Sequence, residues 1–144
     1  METRQVKISE NPNTGTIRTY HDKEKNQVYE EYYVVNGQKE GLYKVFYDNG
    51  QLYYQSNFVA NKREGPYIKY NKDGIIIETM TCKNDIPEGE HRKYYANGSL
   101  YNICSYKNGK LDGEIKEYHE DGVCYQTSTW VNGELIGKTT SIYL

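Results

Sequence analysis

Bulky residues recur in fixed columns along the chain, and short polar segments that contain glycine separate them. Two ladders of glycines set the period, because each has a step of 24 residues. Their members are Gly41, Gly65, Gly89, Gly113 and Gly137 for the first ladder, and Gly50, Gly74, Gly98 and Gly122 for the second. A period between roughly 20 and 50 residues is typical of repeat architectures. The pattern predicts a tandem array of 24-residue repeats.

Each repeat is predicted to contain two turns and two strands. A third column varies in identity while its members share a tolerance of positive φ; it runs Gly37, Asn61, Asp85, Gly109, Gly133. The second glycine ladder ends short polar segments such as Asp48-Asn49-Gly50, which are typical of tight hairpin loops. Both columns are therefore predicted to be turns, and the segments between them to be strands.

The spacing of the rings leaves open which face of the sheet each side chain occupies. Phe46 stands three places after Tyr43, and a regular strand would put the two rings on opposite faces. Either a bulge interrupts the alternation or both faces carry rings. The cysteines Cys82, Cys104 and Cys124 fall at even offsets on the second strand of their repeats, which predicts one shared face if no bulge intervenes.

The composition favours a thin sheet over a thick core. Hydrophobic residues make up 36% of the chain, yet it contains 17 tyrosines, whose rings can be buried while their hydroxyl groups stay hydrated. We therefore predict an all-β fold, an elongated single-layer antiparallel meander of 24-residue β-hairpin repeats. The predicted boundaries are a lead-in at 1–14 and one array at 15–144, divided into 16–41, 42–65, 66–89, 90–113, 114–137 and a closing strand at 138–144.

The two ends of the array are predicted to differ from its middle. Gly15 precedes Gly41 by 26 residues, so the divergent first repeat should carry two extra residues in its hairpin loop and act as a cap. The closing strand would leave an open edge, at which self-association is a predicted risk.

Charge and cysteine content narrow the classes of function. The net charge is −2, with 18 basic and 20 acidic residues interleaved, which does not favour binding of nucleic acid. We expect a cytoplasmic protein, because the sequence starts without a leader pattern and contains no stretch of roughly 20 apolar residues. Three cysteines without metal-ligand spacing are interpreted as small buried hydrophobes.

The repeat resembles the bacterial variant of the MORN (membrane occupation and recognition nexus) repeat. The match is carried by Gly41-Leu-Tyr43-Lys-Val-Phe46-Tyr-Asp-Asn49-Gly50-Gln-Leu52 and by Asn108-Gly109-Lys110-Leu-Asp-Gly113. The resemblance implies a single-layer sheet of hairpins that mediates interactions and has no chemistry of its own. It further implies an antitoxin-like role, while the wider family is linked to scaffolding and to phospholipids. The chain departs from the pattern at Asn61, Asp85 and Ile86-Pro87, which puts the turn geometry there in question.

No group of residues predicts a catalytic, cofactor or metal site, and we expect that the protein is not an enzyme. The segment from Gly133 to Gly137-Lys138-Thr139 approaches a phosphate-binding loop but is one residue too short between its glycines. The three histidines, His21, His91 and His119, have no second histidine or cysteine at i+2 or i+4, so they do not predict a metal site. Paired carboxylates such as Glu30-Glu31 are most simply a solvated surface.

The remaining candidates are surfaces. A tyrosine column, interrupted at Ile77, has the opposite parity to Leu52 and is predicted to lie on the face opposite to it, where it would bind another protein; its members are Tyr29, Tyr53, Tyr101 and Tyr125. The alternative function is peripheral binding of phospholipid, favoured by a basic cluster of Lys69, Lys72, Lys83, Arg92 and Lys93. Cross-strand stabilisation of the sheet by the tyrosines, and simple solvation of the basic residues, explain the same patterns without any partner.

Overall fold

The computed structural model describes residues 6–7 and 13–140 of the chain. All strand segments in these residues join one antiparallel sheet. In chain order they are β1 (Val6–Lys7), β2 (Gly15–Tyr20), β3 (Val28–Val35), β4 (Gln38–Phe46), β5 (Leu52–Val59), β6 (Lys62–Arg63), β7 (Gly65–Tyr70), β8 (Ile76–Lys83), β9 (Ile86–Tyr94), β10 (Leu100–Lys107), β11 (Lys110–Leu111), β12 (Gly113–Tyr118), β13 (Cys124–Val131) and β14 (Glu134–Thr140). The predicted all-β, single-layer meander is confirmed.

Neighbours in the sheet are neighbours in the sequence. The short segments β6 and β11 pair with β5 and β10, and β7 and β12 continue along those same strands after a break of one residue. Each repeat therefore contributes one hairpin, and short connections suffice throughout. The short segment β1 lies in the predicted lead-in and pairs with β2.

The predicted turn column is confirmed, including its two departures from glycine. Asn61 and Asp85 each adopt a φ of 70°, close to the 78° of Gly37. A side chain that stands in place of glycine can also bond to the preceding repeat: Oδ1 of Asp85 accepts from the backbone N–H of Arg63 at 2.8 Å. The residue before each turn glycine also has positive φ, for example 51° at Asn36, as in the two-residue hairpin turns whose twist matches the strands.

Successive repeats are joined at these turns by what we call the turn clasp. The carboxylate before the first-ladder glycine of one repeat accepts a hydrogen bond from a turn amide of the next repeat. The four pairs are Glu40 with Ala60 N at 2.8 Å, Glu64 with Asn84 N at 2.8 Å, Glu88 with Asn108 N at 2.9 Å, and Asp112 with Asn132 N at 3.2 Å. The following turn amide donates to a backbone carbonyl, as Asn61 does to Lys39 at 3.0 Å. At the first turn the acceptor is a hydroxyl group in place of the carboxylate: Oγ1 of Thr14 accepts from the backbone N–H of Asn36 at 3.1 Å.

A bulge in the second strand of each hairpin determines which face of the sheet each side chain of that strand occupies. Val45 pairs with Tyr54 and Phe46 with Leu52, so Tyr53 is an extra residue, and the register of the other four hairpins shifts at the equivalent position. The first strand stays regular between Tyr43 and Phe46. Both explanations left open by the sequence therefore hold: the rings occupy both faces, and a bulge is present.

The bulge overrides the shared face that was predicted for the cysteines on condition that no bulge intervenes. It reverses the alternation in the second strand, so that Leu52 and Phe58, for example, lie on opposite faces. For the same reason Cys124, which pairs with Tyr118 before the bulge, does not share a face with Cys82 and Cys104. Cys82 and Cys104 are buried as expected, whereas Cys124 is only half-buried.

Burial is confined to one face of the sheet. The register places the buried apolar residues on the face that carries Tyr43, and they are Ile17, Val34, Phe58, Tyr67, Cys82 and Cys104. Three small polar residues, Thr19, Ser56 and Ser128, are buried among them. No second layer covers this face within residues 13–140, so neighbouring side chains on the same face provide the burial.

The first repeat differs from the others as predicted. Its hairpin closes from His21 N to Gln27 O, whereas the next closes from Tyr47 N to Gln51 O, which leaves two more residues in the first loop. The turn is stabilised by Asp22, whose carboxylate accepts from the amides of Asn26 and Gln27.

The last strand departs from the repeat. Thr129 pairs with Gly137 and Trp130 with Leu135, which leaves Ile136 as a single extra residue, whereas the shift between β3 and β4 spans two residues. Gly137 is absent from the glycines with positive φ, and the clasp carboxylate is replaced by Ile136, which is 64% exposed. The predicted closing strand at 138–144 is thus part of β14 as far as Thr140, and 141–144 lie outside the described residues.

Replacing Glu64 with alanine should lower the free energy of unfolding by about 1 kcal/mol, because the Asn84 amide loses its carboxylate acceptor. Urea denaturation of the wild type and the variant would measure the change. The matched control is Glu120→Ala, at an exposed turn position, which should change stability by less than about 0.5 kcal/mol. Equal effects of the two substitutions would contradict the clasp.

Replacing Asp85 should cost more with alanine than with glycine, by about 1 kcal/mol, because a Cβ atom is unfavourable at positive φ. Both variants lose the hydrogen bond to Arg63, so their difference isolates the backbone contribution. Asp73, which is not among the residues with positive φ, is the control. At that position alanine should be no worse than glycine, and the same order at both positions would contradict the assignment.

Candidate interaction surface

Four tyrosine rings follow one another across β3, β4, β5 and β7. Centroid distances are 5.3 Å from Tyr32 to Tyr43, 6.2 Å from Tyr43 to Tyr54, and 5.6 Å from Tyr54 to Tyr67. Phe58 packs edge-on against Tyr43 at 5.7 Å. We call the side of the sheet that carries these rings the aromatic face. Such ring pairs add about 0.5–1.5 kcal/mol each beyond the area they bury, so the rings stabilise the sheet that displays them.

A lysine ammonium lies over three of these rings. Nζ of Lys39 is 4.6 Å from the ring centre of Tyr43 and 5.2 Å from those of Tyr32 and Phe58. Attraction of the ammonium to the ring faces holds it on the aromatic face. A cavity of about 290 Å³ opens beside it, and its lining residues are Lys39, Tyr43, Val45, Tyr54, Phe58, Arg63, Tyr67 and Lys69.

Two phenols that line this cavity donate hydrogen bonds to carboxylates. Tyr43 donates to Glu30, and its pKa is raised by burial and by that carboxylate. Tyr67 donates to Glu78 at 3.4 Å, and burial followed by the charge of Glu78 raises its pKa. Both hydroxyl groups therefore stay protonated well above neutral pH, and both acids are occupied by partners within the sheet.

Glu78 is the centre of a polar cluster on the same face. Its carboxylate lies 3.2 Å from Nζ of Lys69 and 2.8 Å from Nε2 of His91. Burial raises the pKa of Glu78, but the hydrogen bonds and charges of His91 and Lys69 outweigh it, and the net pKa is lowered. The carboxylate is thus held ionised in a largely covered position.

Cys104 completes a row of Glu, His and Cys, since its Sγ lies 3.9 Å from Nδ1 of His91. A thiol nucleophile requires a lowered pKa and access to substrate. Burial instead raises the pKa of the Cys104 thiol, and the residue is only 7% exposed. These features favour a packing role for Cys104.

The predicted tyrosines occupy the bulges, near the hairpin loops. Each packs against the ring of the residue that follows the end of the preceding strand: His21 with Tyr29 at 4.9 Å, Tyr47 with Tyr53 at 4.9 Å, Tyr95 with Tyr101 at 5.1 Å, and His119 with Tyr125 at 4.4 Å. We call Tyr29, Tyr53, Tyr101 and Tyr125 the marginal row. Tyr53 is the residue that the bulge inserts between Leu52, which pairs with Phe46, and Tyr54, which pairs with Val45. That the row lies on the face opposite to Leu52 and binds another protein there stays a prediction.

The partners of the marginal row were missed from the sequence, although they form a column of their own. Tyr47 donates from its hydroxyl group to the carbonyl of Tyr70 in the next repeat at 2.8 Å, and Tyr95 donates to Tyr118 at 2.6 Å. Nε2 of His21 lies 2.8 Å from the carbonyl of Phe46. At His21, Tyr47 and Tyr95 the polar end of the ring thus bonds to the next repeat.

The basic cluster that favoured phospholipid is divided by the register. Lys69 and Lys93 share a face with Glu78, whereas Arg92 points to the other side. Lys69 is paired with Glu78, Lys72 with Asp48 at 3.6 Å, and Arg92 with Glu90 at 2.6 Å. This arrangement does not form one basic patch.

The geometry defines a class of protein, the single-layer hairpin-repeat array with an aromatic face. Comparison with known families confirms the resemblance seen in the sequence: the model of the MORN repeat variant matches residues 39–60, 87–108 and 111–132. Three repeats of the chain are therefore MORN-variant repeats. No curated protein matches the sequence.

Several solved structures contain a similar stretch of sheet. One is an S. aureus TarM mutant in complex with fondaparinux, α-GlcNAc-glycerol and UDP, at 16% identity and a TM-score of 0.45 over 75% of this chain. TarM itself gives 17% identity and 0.43 over 73%, and a GtfA/B complex bound to UDP and GlcNAc gives 9% and 0.37 over 96%. This chain spans only about a fifth to a quarter of those proteins, 21%, 21% and 27% respectively. At these TM-scores the likenesses carry no argument about function.

In the part of the chain that the structure describes, no group of three or more histidine, cysteine or acidic residues could hold a metal ion. The same residues contain no helix that is long and apolar enough to cross a membrane.

Replacing Glu78 with glutamine should reduce stability near neutral pH and much less in acid. Because the pKa of Glu78 is lowered in the folded protein, its carboxylate stabilises the fold above the ordinary value of 4.5, and this contribution is lost as the pH falls through the lowered pKa. Urea denaturation at about pH 7 and about pH 3 would measure it. A stability difference between wild type and variant that is the same at both pH values would contradict the cluster, and Glu120→Gln at an exposed turn is the control.

Proposed function

We propose that this chain is a non-enzymatic repeat scaffold that binds another protein through its aromatic face and the marginal row. The observation that supports the proposal is a run of ordered rings on a sheet face that no second layer covers within residues 13–140. Aromatic side chains are enriched at interfaces, and tyrosine in particular at the residues that contribute most binding energy.

The rings suit this role because they are already ordered. Binding costs free energy when flexible side chains are immobilised. In the marginal row each ring is packed against a neighbour at 4.4–5.1 Å, so little conformational entropy remains to be lost. Tyr101 is still 37% exposed, which leaves surface for a partner to cover.

The proposal predicts that the triple variant Tyr53→Ala, Tyr101→Ala and Tyr125→Ala loses its partner. Partners would be identified by affinity purification from the native host followed by mass spectrometry, and their affinity measured with purified proteins. We expect a loss of about a hundredfold or more, because interface tyrosines often contribute over about 1 kcal/mol each.

The matched control removes the same number of rings from the opposite face. Tyr70, Tyr94 and Tyr118 belong to the column of Phe46, and their replacement by alanine should leave the affinity nearly unchanged. Circular dichroism would verify that both triple variants are folded. Equal losses in the two variants, or a stoichiometric partner that neither variant affects, would overturn the proposal.

A narrower form of the proposal is an antitoxin-like role, in which the partner is a toxin. It requires that expression of the partner alone arrests growth and that co-expression with this chain restores it. The alternative role, peripheral binding of phospholipid, has less support because Lys69, Lys72 and Arg92 are paired with carboxylates. Sedimentation with vesicles that contain anionic lipid distinguishes it from protein binding.

A further inference from the structure

The cavity on the aromatic face is bordered by three cations. Lys39 and Arg63 occupy equivalent positions in successive repeats, and both line the same space of about 290 Å³ together with Lys69. The pairing of Phe58 with Arg63 and of Val34 with Lys39 places both side chains on the aromatic face. Cations and rings therefore converge on one cavity in a protein whose net charge is −2.

Two of these cations have no acidic partner within the described residues. Lys69 is paired with Glu78, whereas Lys39 lies on rings and Arg63 takes part in no ion pair among residues 13–140. The nearby acids accept from donors other than the Lys39 ammonium and the Arg63 guanidinium. Glu30 and Glu78 accept from phenols, Glu64 accepts from the turn amide of Asn84, and Asp85 accepts from the backbone N–H of Arg63.

In the column of Lys39 and Arg63, positive charge is confined to the first two members. The column of Lys39 and Arg63 continues with Pro87, Leu111 and Leu135. The backbone geometry repeats while the side chains change from charged to apolar, so a binding preference for negative charge would be local to the first full repeats.

We propose that this cavity is the docking site for an acidic segment of a partner protein, with Asp or Glu side chains directed at Lys39 and Arg63. The inference rests on the proposed function and deepens it by naming the chemistry of the partner. The rings of Tyr54 and Phe58 would cover the apolar part of the acidic side chains. Charge complementarity selects an acidic partner, and a cavity of about 290 Å³ accommodates one or two side chains, at the lower limit of small-molecule sites.

The test uses the full chain and a fluorescein-labelled hexaglutamate peptide as the probe. Fluorescence anisotropy should report saturable binding that weakens as salt is raised above about 0.15 M, where the Debye length is about 8 Å. Hexaglutamine and hexalysine should not bind. Backbone amide NMR shifts on adding hexaglutamate should be largest at the residues that line the cavity.

The double variant K39Q/R63Q should bind hexaglutamate about tenfold more weakly, since two charge contacts are removed. The matched control K83Q/R92Q also removes one lysine and one arginine, away from the cavity, and should retain the affinity. If removal of the Lys39 ammonium from its rings destabilises the fold, R63Q alone is compared with R92Q alone.

Three outcomes would overturn the assignment. They are no saturable binding, equal losses in K39Q/R63Q and K83Q/R92Q, and complete displacement of the peptide by inorganic phosphate at constant ionic strength, which would indicate a site for small anions. If the assignment fails while partner binding still depends on Tyr53, Tyr101 and Tyr125, only the acidic chemistry is rejected. Loss of tyrosine dependence as well would reject the proposed function.

Discussion

Each two-residue turn is held by the segment before it, through one side-chain oxygen, a carboxylate in all but the first turn, and one backbone carbonyl. Glu64, for example, accepts from the amide of Asn84, and the carbonyl of Arg63 accepts from the amide of Asp85. A single-layer sheet has no second layer to fix the relative position of its hairpins, so this contact and the strand ladder fix it. Because the contact joins only neighbours, the stability of the array should be a sum of repeat and interface contributions.

The faces depend in turn on the bulge. Once the turns fix the register of each hairpin, the extra residue at the column of Tyr53 reverses the alternation in the second strand. Leu52 then belongs to one face and Phe58 to the other. The residue inserted by the bulge belongs to the marginal row. Tyr53, for example, packs against Tyr47 just after the end of β4, and Tyr47 bonds to the next repeat. The same irregularity thus builds the candidate surface and couples it to the neighbouring repeat.

The turns and the topology could be predicted because their causes are local. Residues with a tolerance of positive φ recur every 24 positions, and hairpins follow from two turns in each repeat. The clasp was missed because a glutamate before a glycine looks like a solvated residue, although the column of Glu40, Glu64 and Glu88 was a usable signal. The faces could not be derived, because the position of a bulge depends on cross-strand pairing that a single strand does not encode. The cation cluster was missed for the same reason, since Lys39, Arg63 and Lys69 meet only after folding.

The backbone geometry repeats along the array while the side chains change, and the two have different consequences for how a partner would bind. Up to β13 the clasp, the turns and the bulge recur with little change, so these repeats offer the same backbone frame. The side chains on that frame change from Lys39 and Arg63 to Pro87 and Leu111. A partner that contacted only repeated features would bind in several registers shifted by one repeat. For the acidic segment proposed above, the local group of cations would remove this degeneracy, because only one register would bring the segment to both Lys39 and Arg63 while rings elsewhere on the face supply the contact area.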